Sequence, residues 1–101
     1  MSAEIVWSRL SRLDLVEIVD FIAIESPRAA QKYVEALEES SLKLADFPLS
    51  GRKYNEKFRC LVFKNHIIFY QYEKTPDRVL IATMIDGRSG YGRTLAALLK
   101  D

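Results

Sequence analysis

The apolar residues of this chain repeat with one period in its first half and with another in its second, and that switch constrains the fold more than any motif. Leu15, Ile18, Val19 and Ile22 fall at i, i+3, i+4 and i+7, one stripe of a helix, with Asp14, Glu17 and Asp20 mainly off it. Ala30, Tyr33, Val34, Leu37, Ser41 and Leu44 form a second stripe, which stops at Phe47-Pro48. Ser26-Pro27 restarts the chain between them: serine suits an N-cap, and proline at the first helical position gives up only an N–H that has no partner there. Ser11 is the expected N-cap of the first helix, with Asp14 favoured by the positive helix terminus. So short a connection makes an antiparallel helix hairpin.

From Phe58 onward the apolar period is 2. It predicts strands over 58–63, 67–72 and 79–85, joined at Lys64-Asn65-His66 and at Thr75-Pro76-Asp77-Arg78. Asn65 suits a left-handed turn position, and Pro76 fixes φ in the second turn. Glu4-Ile5-Val6-Trp7-Ser8 is a short β-rich first strand, and Leu95, Leu98 and Leu99 suggest a last helix over 94–100. The expected fold is α+β, in the order β-α-α-β-β-β(-α): one domain over 1–101, a helix hairpin on a small, mainly antiparallel sheet. Such a sheet has open edges and a second face that nothing else in the sequence is available to cover, a hint of a partner.

With 49% hydrophobic residues the chain can bury a modest core, and disorder is a poor reading. No basic segment followed by an apolar run opens it, and no stretch is long enough to span a bilayer, so a cytoplasmic protein without a membrane partner is expected. The single cysteine, Cys60, sits in an apolar strand and reads as a buried small hydrophobe. One cysteine and one histidine cannot build a zinc site, and no cofactor is implied. The charge is divided: residues 1–50 hold nine acids against five bases, and 51–101 ten bases against five acids. An anionic partner belongs on the second half.

Hydrolase and phosphate-loop signatures are missing, and Gly87, Gly90 and Gly92 are too loosely spaced to cradle a phosphate. One chemistry needs only cations. RNA is cut by activating its 2′-hydroxyl and stabilising the phosphorane with Arg and Lys, with His or Tyr as acid or base. The candidates are Arg52, Lys53, Arg59, Lys64, His66, Arg88, Tyr91 and Arg93. Arg59 on a strand and Arg88 just after one could converge. His66, the only histidine, flanks a turn and reads better as the start of a core strand than as an acid or base.

The order of these features resembles the ParE branch of the RelE/ParE toxin superfamily. The stretch SRLDLVEIVDFIAIESPRAAQKYVEALEESSLKLADFPLSGR is similar to its helix hairpin, with Phe21-Ile22-Ala23, Ser26-Pro27 and the loop Pro48-Leu49-Ser50-Gly51-Arg52. Arg59, the His66-Ile67-Ile68-Phe69-Tyr70 strand and the corner Ile85-Asp86-Gly87-Arg88 follow in order, so the likeness spans about residues 4–90.

The resemblance implies the toxin of a type II toxin–antitoxin pair, held in a hetero-oligomeric complex by a ParD-like antitoxin. ParE members inhibit DNA gyrase and arrest replication without a nuclease site. RelE members cut mRNA on the ribosome and carry a basic residue where this chain has Ile67. They also have bases on the preceding strand, which here has none between Arg59 and Lys64. Arg88 fits the RelE set, Tyr91 fits loosely, and Asp86 replaces a frequent histidine. The likeness therefore favours ParE, with no direct nucleic-acid binding. On it, Arg59, Arg88, Leu15, Val19, Tyr33 and Leu37 are expected to meet the antitoxin, and Tyr91 and Arg93 the target. Arg59, His66, Arg88 and Tyr91 make up the alternative nuclease site.

Overall fold

The computed structural model describes residues 2–87. Its elements run β1 (Glu4–Trp7), α1 (Arg9–Glu25), α2 (Pro27–Asp46), β2 (Arg52–Lys53), β3 (Arg59–Phe63), β4 (His66–Glu73) and β5 (Arg78–Asp86). The strands form one mixed sheet in the order β1-β5-β4-β3-β2. β1 lies parallel to β5, and the other pairs are antiparallel. The two helices pack on this sheet, giving the α+β architecture expected. β2 is an addition, two residues too short to show a period. The helix expected over 94–100 lies outside the described residues.

Both helix starts are serine caps. Ser26 Oγ accepts from Ala29 N at 3.0 Å, with Pro27 at the first helical position. α1 is capped by Ser8, not by Ser11: Ser8 Oγ accepts from Ser11 N at 3.0 Å and donates to Ala82 O of β5 at 2.8 Å. Either serine could cap by type; Ser8 does so because its hydroxyl also reaches the sheet. Ser11 falls inside the first turn, fully buried, and returns its hydroxyl to Ser8 O at 2.9 Å. Asp14 likewise turns to the sheet, where its Oδ2 accepts from Thr83 Oγ1 at 2.6 Å and from Met84 N at 3.1 Å.

The core lies between hairpin and sheet. Tyr33, Leu37 and Leu44 of α2 meet Phe63, Ile68, Tyr70, Val79, Ile81 and Met84, and Leu15, Ile18, Val19 and Ile22 of α1 pack against them. The second sheet face is not bare. Phe69 and Cys60 are buried there, with Ile67 and Ile85 half-buried against them, and Tyr54, just after β2, meets Phe69 edge-on at 5.1 Å between ring centroids. A register shift between Phe69 and Tyr70 offsets β4 against β5. In the β3–β4 turn Lys64, not Asn65, has the positive φ, 54°, since the first position of a two-residue hairpin turn demands it whatever the residue. In the β4–β5 turn the Thr75–Pro76 bond is cis and Asp77 has φ 75°.

Candidate functional site

His66 opens β4, opposite Phe63 of β3 and Asp86 of β5. Its Nδ1 shares a hydrogen bond with the Tyr33 hydroxyl at 3.2 Å. The Tyr33 ring stands edge-on to both His66 and Phe63, at 5.8 and 5.1 Å between centroids. Burial pushes the Tyr33 phenol up to about 12, because the phenolate would lose its water. Tyr33 is therefore a fixed neutral partner, and the imidazole ring packs against an aromatic corner.

Arg59, at the other end of β3, holds a loop. Its Nη1 donates to Gly51 O at 2.8 Å and to Leu49 O at 3.3 Å. Tyr70, directly across the ladder, donates from its hydroxyl to Pro48 O at 2.8 Å and accepts from Gly51 N at 2.9 Å. Burial raises the Tyr70 phenol, and the bond from the Gly51 amide opposes that rise. The segment Pro48-Leu49-Ser50-Gly51 is thus stitched to β3 and β4 by one guanidinium and one phenol. Only glycine fits at 51, where a Cβ would stand 2.5 Å from the Tyr70 hydroxyl and 2.9 Å from Cys60 O.

The two ends do not meet. Arg59 pairs with Tyr70 and His66 pairs with Phe63, at opposite ends of the ladder. Four residue steps of strand separate the two positions, roughly 13 Å. The other cations are dispersed as well. Arg52 and Lys53 are exposed on β2, where Lys53 reaches Glu56 at 3.7 Å, and Lys64 lies over the Phe63 ring in the hairpin turn. Arg88, Tyr91 and Arg93 fall outside the described residues. Among the described residues no three His, Cys, Asp or Glu side chains gather as a metal site.

The hairpin residues expected to meet a partner are already occupied. Tyr33 and Leu37 are 5% and 2% exposed in the core, and Leu15 and Val19 pack against it. The stripe that the 3.6 period reveals is the one the sheet takes. What α1 offers to solvent is its opposite face: Leu13, Val16, Phe21 and Ile24 are 58%, 56%, 72% and 81% exposed, and Leu10 borders them. Leu42, Phe47 and Leu49 are also exposed where α2 runs into the stitched loop. The period-based reading missed these surfaces, although Leu13, Val16, Phe21 and Ile24 already make α1 apolar on both sides in the sequence.

The described residues thus offer exposed apolar surface and scattered cations. No curated protein matches the chain. Among solved structures it is similar to a chain of the chromosomal ParDE toxin–antitoxin system from P. aeruginosa, with a TM-score of 0.69 at 19% identity over 84% of this chain and 96% of that one. It is also similar to a chain of the toxin–antitoxin complex RelBE2 from Mycobacterium tuberculosis, with a TM-score of 0.65 at 14% identity over 85% of this chain and 99% of that one. These likenesses show a shared fold. A family model for the ParE toxin of the type II toxin–antitoxin system parDE matches residues 5–91, so the chain belongs to the ParE toxin family.

Proposed function

We propose that this ParE-type toxin acts by binding and not by catalysis. On this reading its target is DNA gyrase, the outcome is replication arrest, and a cognate ParD-like antitoxin neutralises it in a cytoplasmic hetero-oligomeric complex. The observation that carries the reading is the separation of Arg59 from His66. Phosphorane stabilisation needs cations converging on one phosphate, and each preorganised group lost there costs about 10²–10³ in rate. Here Arg59 is spent on two loop carbonyls and His66 on Tyr33. Family membership and the exposed apolar side chains support a partner-binding role. Arg88, with Arg59 secondary because its Nη1 is committed, is proposed to meet acids of the antitoxin, and Tyr91 and Arg93 to meet the target.

The test runs purified protein in two assays side by side. DNA supercoiling by gyrase is expected to be inhibited, and mRNA in a translating extract to stay intact. Cleaved mRNA with normal supercoiling would overturn the reading in favour of a ribosome-dependent endonuclease using Arg59, His66, Arg88 and Tyr91.

A further inference from the structure

The sheet ends in two edges of different kinds. β2 presents exposed Arg52 and Lys53, charges that discourage a further strand. β1 presents Ile5, Val6 and Trp7, with no lysine or proline among them. Glu4 N donates to Asp77 O and Ser8 N to Ile81 O, so the backbones of Glu4, Val6 and Ser8 turn toward β5. Alternation along the strand turns the N–H and C=O of Ile5 and Trp7 outward, where they have no backbone partner among the described residues. This open stretch is bounded at both ends. Ala3 N donates to Ala45 O at 2.9 Å, and α1 begins at Arg9.

A strand laid on this window must be about as long as β1 itself, and a second β1 fits it in one register. In an antiparallel pair, residues whose backbones face the partner stand opposite one another and exchange both of their bonds. Centring on Ile5 calls on Ala3 N, which Ala45 holds. Centring on Trp7 calls on Arg9, which belongs to α1. Centring on Val6 sets Ile5 opposite Trp7 of the copy, and Trp7 opposite its Ile5. Both side chains pack toward the core on the helix side of the sheet. Each pair therefore joins a β-branched residue to an aromatic one across the new ladder.

The charges agree with the same register. Arg9 of the copy arrives opposite Ala3, beside Glu4 and Asp46. Glu4, Arg9 and Asp46 are all exposed, and none has an ion pair among the described residues. Two-fold symmetry repeats the contact at the other end. We propose that β1 pairs with β1 of a second copy, antiparallel about Val6, and joins two sheets into one. The pair closes on itself and leaves only the charged β2 edges outermost. This pairing does not depend on the toxin's target or on its mode of action.

The test is sedimentation of the full chain from about 1 µM to about 1 mM, with amide hydrogen exchange at both ends of that range. A monomer–dimer equilibrium is expected. The Ile5 and Trp7 amides should exchange about tenfold or more slower at the high concentration, while the Val6 amide, already held by β5, changes little. Arg9→Glu should raise the dissociation constant about tenfold by setting acid against Glu4 and Asp46. That variant should fold, since an acid suits the first turn of a helix. Adding Glu4→Lys and Asp46→Lys should restore the pairing.

A chain that stays monomeric throughout overturns the proposal. So does a dimer whose Ile5 and Trp7 amides exchange as they do in the monomer, or one that Arg9→Glu leaves unchanged. A dimer dissolved by Leu13→Glu with Phe21→Glu but not by Arg9→Glu would also overturn it, and would move the contact to the outer face of α1.

Discussion

The hydroxyl of Tyr70 lies 2.9 Å from the Gly51 amide and 2.8 Å from Pro48 O, so one phenol closes both ends of the loop that leads from α2 into the sheet. Tyr70 is fully buried in the middle of β4. Removing the oxygen leaves the Gly51 N–H with no partner. Tyr70→Phe is therefore expected to destabilise the fold by about 1–3 kcal/mol, read by urea denaturation. Gly51→Ala drives a methyl group into the same hydroxyl and should cost about 1–3 kcal/mol by overpacking. Combined with Tyr70→Phe the two costs should fall short of additive only by the share that the hydroxyl contact contributes, because the ring carbon at 2.7 Å and Cys60 O at 2.9 Å stay in the way of the methyl group.

Asp14 ties the middle of α1 to β5 through Thr83 Oγ1 and Met84 N. In a double-mutant cycle, Asp14→Ala and Thr83→Val are expected to show a coupling energy of about 0.5–3 kcal/mol. Asp14→Ala alone should be the costlier change, since it also strands the Met84 amide. Exactly additive effects in chemical denaturation would show the two residues to be independent.

Tyr33 predicts an alkaline limit to stability. Its folded value, raised to about 12, lies above the unfolded value near 10. A phenol is neutral when protonated, so the folded state holds this proton more tightly than the unfolded chain. The associated stability is fully present below pH 10 and is lost as pH climbs from about 10 toward 12. The loss is on the order of 2–3 kcal/mol across that window. Tyr33→Phe should flatten this part of the stability profile between pH 9 and 12 while lowering stability at pH 7 through the lost bond to His66.

Arg59→Ala distinguishes anchoring from catalysis. If the guanidinium holds the loop, the substitution should lower stability by about 1.5–3 kcal/mol, the range for hydrogen bonds to a charged group. In a domain of this size that is a fall in Tm of roughly 6–20 °C. The gyrase inhibition proposed above should survive the substitution below the new Tm. If the unmodified chain cleaves RNA, a stable Arg59→Ala protein that has lost that cleavage would place Arg59 in a reaction instead.

Much of this fold is legible because its two periods are clean. Leu15, Ile18, Val19 and Ile22 announce the buried stripe of α1, and the alternation of Ile68, Tyr70 and Tyr72 with Phe69 and Gln71 announces β4. What the periods do not carry is which of two equivalent candidates is used. Ser8 caps in place of Ser11 because Ala82 O, dozens of residues away, receives its hydroxyl. Lys64 takes the left-handed turn position because the hairpin geometry requires one there, whatever residue occupies it. The site was less legible for the same reason in reverse: the apolar stripe that marks a helix most clearly is the one its own core consumes. Tyr33 and Leu37 were conspicuous in the sequence and are buried in the structure, whereas Phe21 and Ile24 lie off that stripe and are exposed.

The parallel pairing of β1 with β5 has one more consequence. Glu4 aligns with Arg78 and Trp7 with Ile81, so the first strand finds its partner only after more than seventy further residues have been made. A nascent chain carrying β1 and the complete hairpin has no floor beneath its helices, and contacts so distant in sequence close slowly. Assembly of the domain must wait for β5 to clear the ribosome. Until then the cell holds an unfinished chain, and whatever the finished surface can grip is beyond its reach.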